Sequence, residues 1–329
     1  MIHLRAPAKL NLYLRVLGKR PDGYHEIETV FARVDLADEL TFEPARDLCL
    51  TCDEPTLSCG EDNLILRAAR ALQRATGASA GARIHLMKRI PIAAGLGGGS
   101  SDAATALRGL NELWHLSLGQ ARLQELAAGL GSDVPFFLSQ DPFAIGRGRG
   151  ERCEALPSNA RFAHVLVVPP QRLSTADIYA AGGFDLTASK PSASIIEHAL
   201  RNGSMSELAT GLWNDLQPEA IRRCPTIVVI LTQLCNHGCL GVSVSGSGPS
   251  VFGLCRDGAQ AQDIAAALRS AGEFPWRIEV IQTDHPSPHP RRVGGPSRSG
   301  DPSAHGGGGV DGDHGSSGGV AREYRQGRS

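Results

Sequence analysis

The stretch GLGGGSSDAATAL, Gly95 to Leu107, constrains this chain more than any other, with four glycines and two serines in seven positions before a helix-forming run. Upstream, ARIHLMKRIP reads as a strand. Downstream, Ala103, Leu107, Leu110 and Trp114 recur at the spacing of an amphipathic helix. A strand, a glycine loop and a helix in that order gather unobstructed backbone N–H groups at the positive end of the helix dipole, which makes an anion site. Glycine permits positive φ and close backbone approach, and Ser100 and Ser101 add hydroxyl donors at the helix start. The strongly patterned flanks argue against a flexible linker; a structural tight turn stays open as the plainer reading, although four glycines exceed what a turn requires. The loop is neither a P-loop, which needs Lys and Ser/Thr after its last glycine, nor the G-x-G-x-x-G dinucleotide fingerprint, since Ser100 stands in the final glycine's place.

The rest of the chain reads as mixed α and β. Residues 2 to 16 alternate, with Ile2, Leu4, Ala6, Ala8, Leu10, Leu12, Leu14 and Val16 on one face and Arg5, Lys9, Asn11, Tyr13 and Arg15 on the other. That period of two predicts a long half-buried strand, which Pro7 bends or confines to an edge. Ser117 and Gln120 have the spacing of a capping box ahead of a helix bearing Leu123, Leu126 and Leu130. Further on, FAHVLVVPP predicts a strand, and 195–200 and 208–216 read as helices. TIVVILTQL fits either a strand or a helix, and VSVSG and SVFGLC read as strands around GSGP. A helix near 259–268 and a strand WRIEVIQ close the folded part near Gln282. No internal repeat is present.

From Asp284 to Ser329 the composition turns to Gly, Pro, Ser and His with few large apolar residues, the signature of a disordered tail. Net charge is −1, so neither a nucleic-acid nor a membrane partner is expected. The eight cysteines, without a secretory signal, read as reduced thiols in a cytoplasmic protein. Cys49 and Cys52 form a lone C-x-x-C, better explained as two small strand residues than as half of a zinc site needing four ligands.

Three motifs carry a family resemblance. PAKLN at Pro7–Asn11, PIAAGLGGGSSDAA, and SGSGPSVFGL at Ser245–Leu254 resemble, in that order, the three motifs of the GHMP small-molecule kinases, which include galactokinase, homoserine kinase, mevalonate kinase and phosphomevalonate kinase. The resemblance implies a two-domain α+β fold. A ribosomal-protein-like, ATP-binding N-terminal domain would span residues 1–155 and a ferredoxin-like C-terminal domain 156–283, with 284–329 a disordered tail. GKRPDGYHEIETVF, with GSDVPFF and WNDLQP, resembles the branch that phosphorylates the 2-hydroxyl of a cytidyl diphosphate sugar alcohol in non-mevalonate isoprenoid synthesis.

This resemblance implies roles for individual residues. Lys9 and Asp133 would be the catalytic pair, with Asp133 accepting the proton of a tertiary alcohol and Lys9 orienting it and offsetting phosphoryl charge. Pro91, Ile92, Ala93, Ala94, Gly95, Leu96, Gly97, Gly98, Gly99, Ser100 and Ser101 would hold ATP, and Asn63, Leu64 and Lys88 its adenine. Asn11, Tyr24, His25 and Tyr179 would bind the acceptor, the aromatics taking its cytosine. Ser245, Gly246, Ser247 and Gly248 would support the phosphate loop. ATP brings Mg2+ on its phosphates, with no metal ligands in the protein. Spacing alone allows plainer roles: Asp133 as a helix cap, Lys9 as a solvated strand lysine, DGYH as a surface turn and GSGP as a hairpin turn. Gln217 departs from the family's usual Glu, and Arg147–Glu151 adds basic character near the expected cleft. A kinase of mevalonate, phosphomevalonate or homoserine is the alternative, opposed by GYHEIETVF. RNA binding is a remote one, opposed by the near-neutral charge.

Overall fold

A computed structural model describes residues 1–285 apart from 140, 185, 187–189 and 273. The expected disordered tail lies outside the described residues from 286 onward.

The N-terminal half is built on two long strands, β1 (Ile2–Lys19) and β2 (His25–Ala45), joined by a turn at the Asp22–Gly23 pair, where Gly23 takes φ 86°. β2 is flanked along its C-terminal half by the strand at 81–87 and along its N-terminal half by the strand at 143–148. After β3 (Leu48–Cys52) comes α1 (Leu64–Thr76), then β4 (Gly81–Met87) and the glycine loop, which opens α2 (Gly98–Leu113). α3 (Gln120–Leu130) and the short α4 (Val134–Leu138) lead into β5 (Phe143–Gly148) and β6 (Arg152–Ala155). The four helices cover one side of the sheet. α2 lies so close that a Cβ on Gly109 would meet the Phe42 ring at 2.6 Å.

The C-terminal half opens with β7 (Ala163–Val168) and continues through α5 (Thr175–Ala180), α6 (Ala193–Asn202) and α7 (Met205–Gly211). Next come β8 (Trp213–Asn214), α8 (Gln217–Arg223), α9 (Thr226–Asn236), β9 (Gly241–Val244), β10 (Val251–Cys255), α10 (Gly258–Ala271) and β11 (Arg277–Gln282). β7, β9, β10 and β11 form an antiparallel sheet in the order β11-β7-β10-β9. β8 leaves that half to pair in parallel with β1 at Tyr13 and Leu14, so it completes the first sheet. A core of Leu10, Leu12, Val30, Leu166, Phe252 and their neighbours fills the space between the sheets.

Several expectations are amended. β1 is buried on both faces from Ala6 to Leu14, because the cleft-side face carrying Lys9 and Asn11 is covered by backbone of the glycine loop and of the loop at Gly246. Pro7 does mark a break, with a register shift between Pro7 and Ala8. Ser117 is not a cap: it sits in the loop between α2 and α3 at φ 54°, α3 starts after Gly119, and Gln120 donates to the Leu138 carbonyl instead. The helix read at 208–216 ends at Gly211, where the chain turns extended to reach β1. TIVVILTQL is helical, burying Ile227, Ile230 and Leu234 while Val228 and Val229 face solvent. Backbone pairing continues past Gln282: Thr283 bridges Val34, and the Asp284 N–H donates to the Arg33 carbonyl.

Candidate active site

One cavity of about 1010 Å³ is walled by the glycine loop, the middle of β1, the β1–β2 turn, the start of α4 and α5. Asn63, Leu64 and the whole run from Pro91 to Ser100 line it, as do Lys9, Asn11, Tyr24, His25, Lys88, Asp133, Tyr179, Gly246 and Ser247. Ser101, Ser245 and Gly248 lie behind the wall. Ser101 is fully buried in α2, and its hydroxyl lacks a partner among the described residues.

The glycine loop has the geometry its composition predicts. Gly95 and Gly97 take φ of 77° and 70°, and Gly97 caps α2 with no side chain bonding the helix's first N–H groups. Those N–H groups are free for an anion. The loop is fastened on two sides. The Lys9 N–H donates to the Leu96 carbonyl (3.0 Å), and the Ser245 hydroxyl donates to the Gly95 carbonyl (3.0 Å) while accepting from the Asn11 N–H (3.3 Å). A Cβ on Gly95 would lie 2.1 Å from the Ser245 carbonyl oxygen, so only glycine fits. Asn214 holds the other partner in place, its amide donating to the carbonyls of Val244 (2.7 Å) and Gly246 (2.8 Å).

Beside the loop, the Lys9 ammonium donates to Asn11 Oδ1 and lies 3.7 Å from Asp133. Burial pulls the Lys9 pKa below the ordinary lysine range, and the charge of Asp133 opposes that pull. Asp133 occupies the N-cap position of α4, yet its side chain makes no capping bond. Its carboxylate faces Lys9 and the cavity instead, so the capping alternative is not realised.

At the far end, Tyr24 is half exposed, with the Arg149 guanidinium 4.8 Å from its ring centre. The His25 ring stacks on Tyr179 at 5.3 Å, and Phe184 packs edge-on against both rings. Burial, and then Lys19, lower the His25 pKa. Arg149 resolves the basic stretch: it lines the cavity, while Arg147 pairs outside it with Glu28 and Glu154. Arg149 and Phe184 were not singled out from the sequence. RGRGE marked the first only as basic character, and nothing local distinguishes GGF.

Two residues expected at the adenine have other commitments. The Lys88 ammonium lies under Gly98, bound to Asp38 and 3.3 Å from Asp102, so it braces the start of α2. Burial raises the Asp102 pKa well above the ordinary carboxyl range, with Lys88 opposing. Asn63 caps α1, accepting from the Ile65 N–H (2.9 Å) and donating to the Ser58 carbonyl (2.7 Å). Leu64, which would lie 3.6 Å from a Cβ on Gly99, offers apolar contact. Gln217 accepts from the Val244 N–H (3.1 Å), tying α8 to β9. Cys49 and Cys52 are free thiols on β3.

Comparison with known proteins agrees with this geometry. The family model for the GHMP kinases N terminal domain matches residues 63–141, and that for the GHMP kinases C terminal matches 196–273. A 4-diphosphocytidyl-2-C-methyl-D-erythritol kinase of Pelotomaculum thermopropionicum is 45% identical over 283 residues, 85% of this chain and 97% of that protein. One of Enterococcus faecalis is 39% identical over 280 residues, 84% of this chain and 98% of that protein. A crystal structure of 4-(cytidine 5'-diphospho)-2C-methyl-D-erythritol kinase superposes with a TM-score of 0.71 at 37% identity, covering 85% of this chain and 99% of that one. A homoserine kinase from Cytophaga hutchinsonii, 18% identical with a TM-score of 0.67 over 87% of this chain and 96% of its own, shares the fold. The glycine cradle, the lysine–aspartate pair and the aromatic end thus sit in a chain that belongs to the GHMP kinases and, within them, to the family of 4-diphosphocytidyl-2-C-methyl-D-erythritol kinases.

Proposed function

We propose that this chain transfers the γ-phosphoryl group of ATP to the 2-hydroxyl of 4-diphosphocytidyl-2-C-methyl-D-erythritol, giving the 2-phosphate and ADP in the non-mevalonate isoprenoid route. The observation that carries this reading is the position of the Lys9–Asp133 pair in one cavity with a helix-start anion cradle and an aromatic cluster. The cradle takes the triphosphate on backbone N–H groups, and a Mg2+ carried by the nucleotide would help offset the phosphate charge there. Asp133 accepts the proton of the attacking tertiary hydroxyl as the new O–P bond forms and the bond to ADP breaks. Lys9, positively charged, holds the carboxylate and hydroxyl in line and offsets charge on the transferring group. Tyr24 offers a ring face to cytosine and His25 its ring nitrogens. Tyr179 stacks directly on His25, so it acts by supporting that ring.

The reading includes a cytoplasmic enzyme with small-molecule partners only. No helix among the described residues is long and apolar enough to cross a membrane. An acceptor panel with ATP tests the choice of substrate. The purified chain should phosphorylate the cytidyl substrate and leave homoserine, mevalonate and phosphomevalonate unchanged, and His25→Ala should raise KM for the cytidyl substrate but not for ATP. Turnover of homoserine or mevalonate without turnover of the cytidyl compound would overturn it.

A further inference from the structure

Behind Lys9 runs a chain of buried polar groups that the phosphoryl-transfer scheme leaves unused. Lys9 Nζ donates to Asn11 Oδ1. Asn11 Nδ2 donates to Thr29 Oγ1 at 2.8 Å, and Thr29 Oγ1 donates to the Tyr13 carbonyl at 2.6 Å. Lys9, Asn11 and Thr29 are 3%, 2% and 0% exposed, so water does not substitute for these partners. The chain sits where the β1–β2 register shifts between Asn11 and Tyr13, an irregularity of the kind that re-aims side chains beside active sites.

The direction of this chain follows from counting protons. A threonine hydroxyl has one proton, and here the Tyr13 carbonyl takes it. Thr29 Oγ1 can then only accept, so the Asn11 amide must turn its NH2 toward Thr29 and its oxygen toward Lys9. A flipped amide would aim N–H groups at the ammonium, which favours a neutral lysine. We infer that Thr29 is a positioning residue of the active site, which fixes the polarity of the Asn11 amide and so keeps Lys9 charged. The inference rests on the catalytic reading of Lys9.

Asp133, at the start of α4, is the charged group facing Lys9. β2 presents Thr29 and Phe31 to this region, and the two loops present Gly97 and Gly246, none of which titrates. Cys153 and Tyr179 lie close enough to feel Asp133, and burial first, then its charge, pushes both upward, Cys153 to about 12.

The chain has four lysines, so 13C labelling at lysine Cε gives a titration of Lys9 that is independent of turnover. The Lys9 signal is assigned with Lys9→Arg. Thr29→Val should lower the Lys9 midpoint by about one pH unit, roughly tenfold in proton affinity. The basic limb of kcat should move the same way, with KM for both substrates nearly unchanged. Thr29→Ser, which keeps the hydroxyl, should restore both. In an Asn11→Asp background Thr29→Val should no longer move the midpoint, because a carboxylate has no amide polarity to orient. If Thr29→Val is not foldable, Thr29→Cys carries the same expectation with its weaker acceptor. An unmoved midpoint, or an equal shift in the Asn11→Asp background, overturns the role of Thr29. A basic limb of kcat that does not follow the Lys9 midpoint overturns the catalytic reading of Lys9, and this inference with it.

Discussion

Asp133 stands at the start of a five-residue helix with its carboxylate free of that helix's own N–H groups, as the proposed role of proton acceptor requires. Asp133→Asn should therefore reduce kcat by about 10²–10⁴, the usual contribution of a general base, while KM and the melting temperature stay close to wild type. Steady-state kinetics and a thermal melt check both halves. A large drop in melting temperature with kcat preserved would return Asp133 to a capping role. At this scale the sequence revealed residue types and order but not commitments. Lys88 and Asn63 both line the cavity, yet Asp38, fifty residues before Lys88, and Ser58, five before Asn63, had already claimed their polar atoms. Arg149 belongs to the site through the Tyr24 ring, a contact across two separate turns that no local pattern marks.

Strands and helices were legible where one face meets the core and the other meets water, as in β4, α6 and α10. Legibility failed where that contrast was lost. In β1 the alternation of Lys9 and Asn11 with apolar neighbours is real, but backbone from two distant loops covers the polar row, so alternation did not mean solvation. In α9 β-branched residues blurred the period, and burial of Ile227, Ile230 and Leu234 decided for the helix. β7 carries a further consequence in His164, which is fully buried, packs edge-on against Phe252 and has no partner for Nδ1 among the described residues. Burial pulls its pKa from 6.5 down to about 4. The unfolded chain then binds a proton that the folded chain refuses, so stability is full above pH 6.5 and falls as pH drops toward 4. Urea unfolding at pH 7.5 and pH 4.5 should show a loss of about 2.5 kcal/mol that His164→Phe removes, apart from its own packing change.

In the whole molecule, the halves are tied at several distant points. β8 pairs with β1; Asp215 accepts from the Val16 N–H (2.8 Å) and from Lys190 (2.8 Å); Thr283 exchanges bonds with Phe162 and bridges Val34. Composition put the end of the folded part near Gln282, yet backbone pairing, not apolar content, holds Thr283 and Asp284. A chain ending at His285 should keep wild-type kcat and melting temperature. A chain ending at Gln282 should melt about 5 °C lower, since it loses buried backbone bonds of roughly 1–3 kcal/mol in total. Calorimetry on both truncations checks this. The latch between Ser245 and Gly95 also sets an order of events during synthesis, because Ser245 is made 150 residues after the glycine it fastens. A nascent chain carries a finished cradle sequence long before the part that locks it exists. Chains that stop before Ser245 hold the cradle sequence without its latch, so the fastened loop belongs to the two halves together and to neither alone.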